Sequence, residues 1–595
     1  MLSFPKPGLS EFYRTYNIAG FAVSADESRI AISTNLSGKY NVWGLDLPNT
    51  FPYPLSYQDQ VPAFIRFDPQ DRYILVGFDQ DGDEKIQIYA LSPQGGAPVG
   101  VRMAKGKRHD FGALSRDGDR LYYTSDKDNA RLQNIYRYDL VTETEEVLVE
   151  GNEAPVFFLS VSPDESTILY AVVFGNTHVI PYLLRKGQKV CISPDPTVSQ
   201  TVEDARFIDD DTLLFTTNYG KSYSYVAKYS VLTGELTEVF SVPGKEISAI
   251  ACTEGVKKMY VSASSGVEDN LYEGDLATGA FVEVAFPGAL INGLKMGRSG
   301  QVYGVITQEN RPGNLYMRSV DGQWQALTSN RVLGVDESRM SRAQTVRYPS
   351  FDGLEIEALF YRAPADVANG YTIIMPHGGP QAADRKYFWS FTQFLISQGY
   401  DIFAPNFRGS SGYGAEFTEM VNGDWGGGPR RDMVAGIEWL LSQGLAHRDR
   451  LFVLGASYGG YMTLLLHGRH ADYFCAAVDI FGPCNMFTFI DSVPESWKPM
   501  MDLLVGHPER DREKLREDSP ITYLDTMTKP MLVIQGAHDP RVVKAESDQI
   551  VEALRAKGRE IEYIVLEDEG HGFTKKENEL RVYQAVADFL AKHRA

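Results

Sequence analysis

One phrase recurs through the first half of the chain. FAVSADESRIAIST begins at Phe21, FIRFDPQDRYILVGF at Phe64 and FGALSRDGDRLYYTS at Phe111. FLSVSPDESTILYAV follows at Phe158 and ARFIDDDTLLFTT at Ala205, with fainter copies from Ile247 and Ile291. Each copy reads as an alternating strand, a polar turn rich in Asp, Gly and Ser, and a second strand. A third strand such as NVWGLDL, KIQIYAL or NLYEGDL comes after it. The period is about 43–47 residues, the length of one four-stranded propeller blade. About seven copies between positions 20 and 330 predict a seven-bladed β-propeller. A two-sheet sandwich would also show alternating strands with regular turns. It has no reason to keep one internal period over some 300 residues.

From residue 345 the pattern changes. TVRYPSFDGLEIEALFYRAP reads as a β-hairpin, after which buried strands (YTIIMPHGG, YDIFAPNFRG, RLFVLGAS, FCAAVDIFG, PMLVIQGAHD, IEYIVLEDEGHG) alternate with amphipathic helical stretches. Alternating βα units require a mainly parallel sheet covered on both faces, with its ligand site at the carboxyl ends of the strands. The chain therefore divides into an N-terminal segment (1–20), a β-propeller (21–335) and an α/β-hydrolase domain (336–595). At 595 residues it is too long for one hydrophobic core.

Composition narrows the partners. A formal charge of −20 argues against nucleic acid or an anionic membrane as partners. The start MLSFPKPGLSEFYRTYN lacks the basic region and apolar core of a secretory signal, and no apolar run reaches the roughly 20 residues of a membrane span. Cys191, Cys252, Cys475 and Cys484 lie far apart, without metal-ligand spacing, and read as reduced residues of a cytoplasmic protein. No metal or organic cofactor is implied.

The chemistry is carried by the strand ends of the second half. Gly455-Ala456-Ser457-Tyr458-Gly459 fits G-x-S-x-G, a strand-to-helix turn that lifts a serine hydroxyl above the sheet. A glycine-rich βα loop that merely contains a serine is the plainer alternative. A nucleophilic serine needs a base, and His571 in EDEGHGF follows a late strand with glycines on both sides. His467 and His470 lie too far along the helix after Ser457, and His538, His507 and His447 have weaker contexts. The base needs an orienting acid; Asp539 directly follows the strand MLVIQGAHD, with Asp568 as a rival on the histidine's own loop. Ser457, Asp539, His571 is the chain order of α/β-hydrolases. Acyl transfer also needs N–H donors aimed at the developing oxyanion. The backbone N–H of Tyr458 is one, and Gly379 in MPHGGP is the preferred second, although HGGP alone could be only a turn.

HGGP, PNFRGSSGYG, GASYGGYM, GAHDPRV and EGHGF, in that order after a propeller, resemble the prolyl oligopeptidase family of serine peptidases, and its acylaminoacyl-peptidase branch most. The resemblance is strong from about residue 345 and architectural before it. It implies a propeller over the hydrolase site that restricts entry to short peptides, and an N-terminal segment, SEFYRTYN, that crosses back onto the hydrolase domain. It makes Ser457 the nucleophile, Asp539 the orienter, His571 the base and acid, and Tyr458 and Gly379 the oxyanion donors. It gives His377 a loop-shaping role and places Arg541 where a substrate backbone or blocked amino end is held; a surface pairing with Glu546 is the alternative. Arg408 reads as a brace for its loop. Phe487, Phe489 and Trp497 are candidates for an apolar pocket or for ordinary core. Glu145-Glu146, the one acidic pair that invites comparison with free-amine recognition, reads as a solvated hairpin. Family members often form homo-oligomers.

The expected activity is hydrolysis of short peptides, releasing N-acylated N-terminal residues through an acyl-enzyme. A carboxylesterase and a dipeptidyl-peptidase-like or oligopeptidase activity use the same apparatus. A propeller interaction protein with an inactive hydrolase domain is the reading from another class.

Overall fold

A computed structural model describes residues 6–253 and 258–594. The turn of the sixth repeat, at 254–257, lies outside the described residues, as do positions 1–5. Seven consecutive four-stranded sheets occupy 18–54, 64–102, 109–150, 156–191, 202–240, 246–284 and 290–326. Each pairs its strands antiparallel in chain order, so the repeat is one blade and the first half is a seven-bladed propeller.

The burial of successive strands explains why three of the four were visible in the repeat. The second strand of a blade, such as Arg29–Thr34, Ile74–Phe78 or Val302–Gln308, lies between neighbouring blades and is buried almost throughout. The outermost strand, such as Gln188–Cys191 or Ala280–Val284, faces solvent along most of its length. With little to bury, it needs no apolar pattern. Glu145 and Glu146 open such an outer strand, after a hairpin turn. Glu145 is not simply solvated, since Arg102, Lys127 and the Tyr123 hydroxyl all engage it.

Among the described residues, no strand is shared between the first and last blades. The ring closes through packing of Phe21, Ile30 and Ile32 against Tyr303, Val305 and Leu315. Polar contacts add to it: Lys295 Nζ donates to the Phe21 carbonyl at 2.7 Å, Ser299 N and Oγ to Glu27 at 2.6 and 2.7 Å, and the Tyr303 hydroxyl to Glu27 at 3.1 Å.

The second half builds one eight-stranded sheet. Its strands are β1 (Gln344–Pro349), β2 (Glu355–Tyr361), β3 (Thr372–Ile374), β4 (Asp401–Asn406), β5 (Leu451–Ala456), β6 (Phe474–Ile480), β7 (Met531–Gly536) and β8 (Ile561–Leu566). The spatial order is β1-β2-β4-β3-β5-β6-β7-β8. Only β1 and β2 run antiparallel to their neighbours. β3, β5 and β7 are buried at nearly every position, because helices cover both faces.

On one face lie α1 (Leu9–Tyr13), α2 (Ser390–Ser397) and α6 (Lys576–Lys592); on the other α3 (Gly428–Ser442), α4 (Tyr458–His470) and α5 (Lys544–Ala556). The N-terminal α1 thus packs on the hydrolase domain. Phe12 meets Phe394 edge to face at 5.8 Å and Tyr13 stacks on Tyr583 at 5.2 Å. Lys576 Nζ donates to the Thr15 carbonyl at 3.2 Å. Among the described residues, no helix is long and apolar enough to cross a membrane.

Propeller and hydrolase meet through named ion pairs. Arg385 bonds Asp269 at 2.5 Å, Lys386 bonds Glu268 at 2.8 Å, and Lys575 bonds Asp81 at 2.8 Å. The propeller loop carrying Asp81 and Glu84 lies against the loops after β7 and β8. A Cβ on Gly570 would come within 2.2 Å of the Gly82 carbonyl, so glycine is required at this approach.

Candidate active site

β5 ends at Ala456, α4 begins at Tyr458, and Ser457 sits between them with φ 58° and ψ −122°. A left-handed φ at a non-glycine residue is strained and persists only where the surroundings hold it. Here the Ser457 N–H donates to the Ile480 carbonyl at 2.9 Å, and the Tyr461 N–H donates back to the Ser457 carbonyl at 2.9 Å. The glycines of the motif exist for space. A Cβ on Gly455 would lie 2.2 Å from the Gly459 carbonyl oxygen, and one on Gly459 would lie 2.2 Å from that of Pro376.

The structure brings Ser457, His571 and Asp539 into one hydrogen-bonded chain. His571 Nδ1 is 2.6 Å from Asp539 Oδ2, and Nε2 is 2.8 Å from Ser457 Oγ. A carboxylate offers only acceptors, so the imidazole proton sits on Nδ1 and Nε2 is left to accept the serine proton. Asp539 Oδ1 is held by the backbone N–H groups of Arg541 (2.9 Å) and Val542 (3.0 Å). The Asp539 side chain is fully shielded from solvent and that of His571 nearly so.

Asp568 lies apart from this chain, bonded to Lys575 at 2.7 Å and Asn578 at 3.0 Å. His467 is buried in the helix, where desolvation lowers its pKa to about 4, and it accepts the Lys529 N–H at 3.1 Å. Sequence reasoning missed Glu569, a buried carboxylate that staples the histidine loop. It accepts from Thr574 N, Thr574 Oγ1 and Lys575 N at 3.0 Å each and from Asn578 at 2.9 Å. Two residues from a histidine in a glycine-flanked loop, an acid of this kind is the one local signal that could have flagged it.

The Tyr458 N–H is the first of the donors that a helix leaves without an intrahelical acceptor. Gly379, at φ 125°, borders the same cavity as Ser457 and Tyr458. His377 braces its loop: Nδ1 donates to the Gly378 carbonyl at 2.7 Å, Nε2 lies 2.8 Å from Ser410 Oγ, and the ring stacks on Phe407 at 4.1 Å. Burial lowers its pKa to about 4, which keeps it neutral. Arg408 is likewise a brace, bonded to Asp432 at 2.8 Å and Asp352 at 2.9 Å.

Ser457 opens onto a cavity of about 270 Å³. Its apolar wall is Trp425, Phe489, Trp497, Met500, Met501 and Leu504. Phe489 and Trp497 were candidates from sequence, whereas Phe487 is not in the wall. It packs against the hydrolase core with Arg512 5.8 Å from its ring. Trp425 was not anticipated. Its ring stands edge-on to Tyr458 at 5.1 Å, and its carbonyl accepts the Tyr458 hydroxyl at 2.5 Å.

Arg541 also lines this cavity, and its partner is Glu84 of the propeller, at 2.6 Å, rather than Glu546. Glu546 is buried and accepts the N–H groups of Cys484 (2.9 Å) and Asn485 (3.0 Å). A chamber of about 580 Å³ between propeller and hydrolase adjoins the cavity, the two sharing Asn176 and Gln381, which bond each other at 2.7 Å.

Beneath the serine turn, Asp479 in β6 is fully buried. Its Oδ1 accepts the Gly482 N–H at 2.9 Å, and desolvation raises its pKa to about 8. In the unfolded chain the same carboxyl ionises near pH 4. The folded state therefore holds a proton that the unfolded state has released, and stability falls as pH rises from about 4 to about 8. The cost is about 1.4 kcal/mol per unit of pKa difference. Asp479→Asn is expected to remove this slope. Thermal unfolding should show the variant gaining on the parent steadily from pH 5 to 8, and a gap that does not change with pH would count against a neutral Asp479.

Residues 386–595 match the model of the prolyl oligopeptidase family. Dipeptidyl aminopeptidase BIII of Pseudoxanthomonas mexicana is 41% identical over 226 residues, 37% of this chain and 33% of that protein. Acylamino-acid-releasing enzyme 1 of Oryza sativa subsp. japonica is 28% identical over 250 residues, 40% of this chain and 32% of its own length. The matched segment thus spans about a third of the length of these curated relatives. Among solved structures, a puromycin hydrolase superposes with a TM-score of 0.85 at 18% identity, covering 99% of this chain and 96% of its own. The Pyrococcus horikoshii acylaminoacyl peptidase gives 0.75 at 21% identity, covering 99% and 97%. At these identities the structures share the fold across the whole chain. From just before α2 to the last helix, over residues 386–595, the chain matches the prolyl oligopeptidase family of peptidases.

Proposed function

We propose that this chain is a serine peptidase that removes an N-acylated residue with a large apolar side chain from short peptides. Ser457 attacks the scissile carbonyl, His571 takes its proton and returns it to the leaving amine, and Asp539 holds the imidazole in place. The N–H groups of Tyr458 and Gly379 receive the oxyanion. The apolar wall around Trp425 and Phe489 takes the side chain of the acylated residue.

One observation carries the choice of a blocked amino end. Among the described residues that line the Ser457 cavity there is no carboxylate, and the one permanently charged side chain is the Arg541 guanidinium. A cation there receives a carbonyl oxygen of an acyl cap and repels a free ammonium. The dipeptidyl reading is supported by Glu84, 2.6 Å behind Arg541, and by the dipeptidyl aminopeptidase among the relatives.

Turnover of acetyl-Phe, Phe and Gly-Phe p-nitroanilides separates the two. The acetylated substrate is expected to have the highest kcat/KM, by at least about 10-fold, which is about 1.4 kcal/mol. In Arg541→Ala its KM is expected to rise about as much. Preference for Gly-Phe p-nitroanilide, lost in Glu84→Gln, would establish the dipeptidyl activity instead. Turnover of p-nitrophenyl acetate without any of the three anilides would make the chain an esterase.

A further inference from the structure

A second cavity, of about 330 Å³, borders the same loops from the other flank. The segment after β3 separates the two. Residues 379–381 line the Ser457 cavity, whereas 375–378 and 382–384 line the second one. Gly572 and Phe573, which follow His571, form part of its wall. So does Phe481, whose ring lies 4.6 Å from the His571 imidazole. The cavity therefore begins one ring beyond the proposed base.

Its chemistry is unusual for a gap in a core. Tyr387, Trp389, Phe573 and Tyr583 line it, and so does Asp384. The Asp384 backbone is pinned to Asn406, its N–H donating to Oδ1 at 2.7 Å and its carbonyl accepting from Nδ2 at 3.0 Å. One carboxyl oxygen is not pinned: Oδ2 is buried and has no hydrogen-bond partner among the described residues. The adjacent cations are engaged elsewhere, Arg385 with Asp269 at 2.5 Å and Lys386 with Glu268 at 2.8 Å. Desolvation alone raises the Asp384 pKa to about 7, with no protein cation opposing it. Tyr387 keeps 39% of its surface free although the segment lies between the two domains.

A buried carboxyl oxygen without a partner is costly, and a neutral apolar guest would leave it so. A cation satisfies it, and the negative faces of aromatic rings attract the same charge. We propose that the Asp384 cavity binds an organic ammonium group, the carboxylate meeting the charge and the rings enclosing the carbon skeleton. Two sources can supply that group. One is a lysine side chain on the residue released after His571 protonates its amine, a source that rests on the function proposed above. The other is a free amine.

Calorimetric titration of full-length Ser457→Ala with benzylammonium at pH 8, beside benzyl alcohol, tests the site without any turnover. Saturable binding of benzylammonium is expected, at least 10-fold tighter than benzyl alcohol and at least 10-fold weaker once Asp384→Asn is added. Tyr387→Leu should weaken it several-fold, which keeps the test open should the asparagine variant fail to fold. Equal affinity for the two probes, or affinity unchanged by Asp384→Asn, overturns the proposal. Kinetics on the active enzyme then separate the sources. A 10-fold preference for acetyl-Phe-Lys amide over acetyl-Phe-norleucine amide, abolished by Asp384→Asn, assigns the ammonium to the leaving residue. Benzylammonium binding without that preference assigns a free amine. Failure to cleave either peptide speaks against the peptidase reading, and the titration stands apart from it.

Discussion

Ser457→Ala is expected to lower kcat on acetyl-Phe p-nitroanilide by about 10⁶-fold, leaving only the rate supported by binding and the oxyanion donors. The variant should fold normally. The hydroxyl makes one hydrogen bond, to His571, while the strained turn is held by the Ser457 N–H and carbonyl, which alanine keeps. Its stability should therefore stay within about 1 kcal/mol of the parent. Labelling by a fluorophosphonate probe, which reports an activated serine, should vanish in parallel. A folded Ser457→Ala protein that retained more than a thousandth of the activity would remove Ser457 from the mechanism.

Asp539→Asn is expected to cost about 10⁴-fold in kcat with little change in KM. The argument lies in how Asp539 is held. Oδ1 accepts two backbone N–H groups, from Arg541 and Val542, and an asparagine oxygen would take over that position. The amide nitrogen then faces His571 Nδ1, where Oδ2 stood at 2.6 Å. Two donors cannot meet, so the imidazole proton moves to Nε2 and points at Ser457. The serine loses its acceptor while every heavy atom stays in place. Adding Ser457→Ala should cost nothing more than Ser457→Ala alone, since the two groups act as one unit. Additive losses in the double variant would mean that Asp539 works through something other than His571.

Parts of this site were open to reading from residues alone. Ser457 stood out because a serine between glycines at a strand end is a local pattern. Asp539 and His571 followed from their positions after later strands and from chain order. Trp425, Asn176 and Glu84 were not accessible in the same way. Trp425 lies in an irregular segment before α3, and Asn176 and Glu84 belong to the propeller, hundreds of residues from Ser457 in sequence. Phe487 and Phe489 show the limit of composition. Two residues apart on the short helix Met486–Ser492, they face different ways, and only Phe489 reaches the cavity. Glu546 shows the same limit, since its nearness to Arg541 in sequence leads to no contact.

What the residues determined by themselves was periodic and local. The blade repeat came from strands that must bury one pattern seven times, and the nucleophile turn from glycines that no other side chain can replace. The spatial strand order, with β4 between β2 and β3, and the placing of the propeller loop of Asp81 and Glu84 against Gly570 and Arg541 came only from tertiary structure. The physical reason is range. Periodicity and backbone sterics act over a few residues and leave a mark in sequence, whereas which surfaces meet is decided by the burial and charge pairing of the whole folded chain.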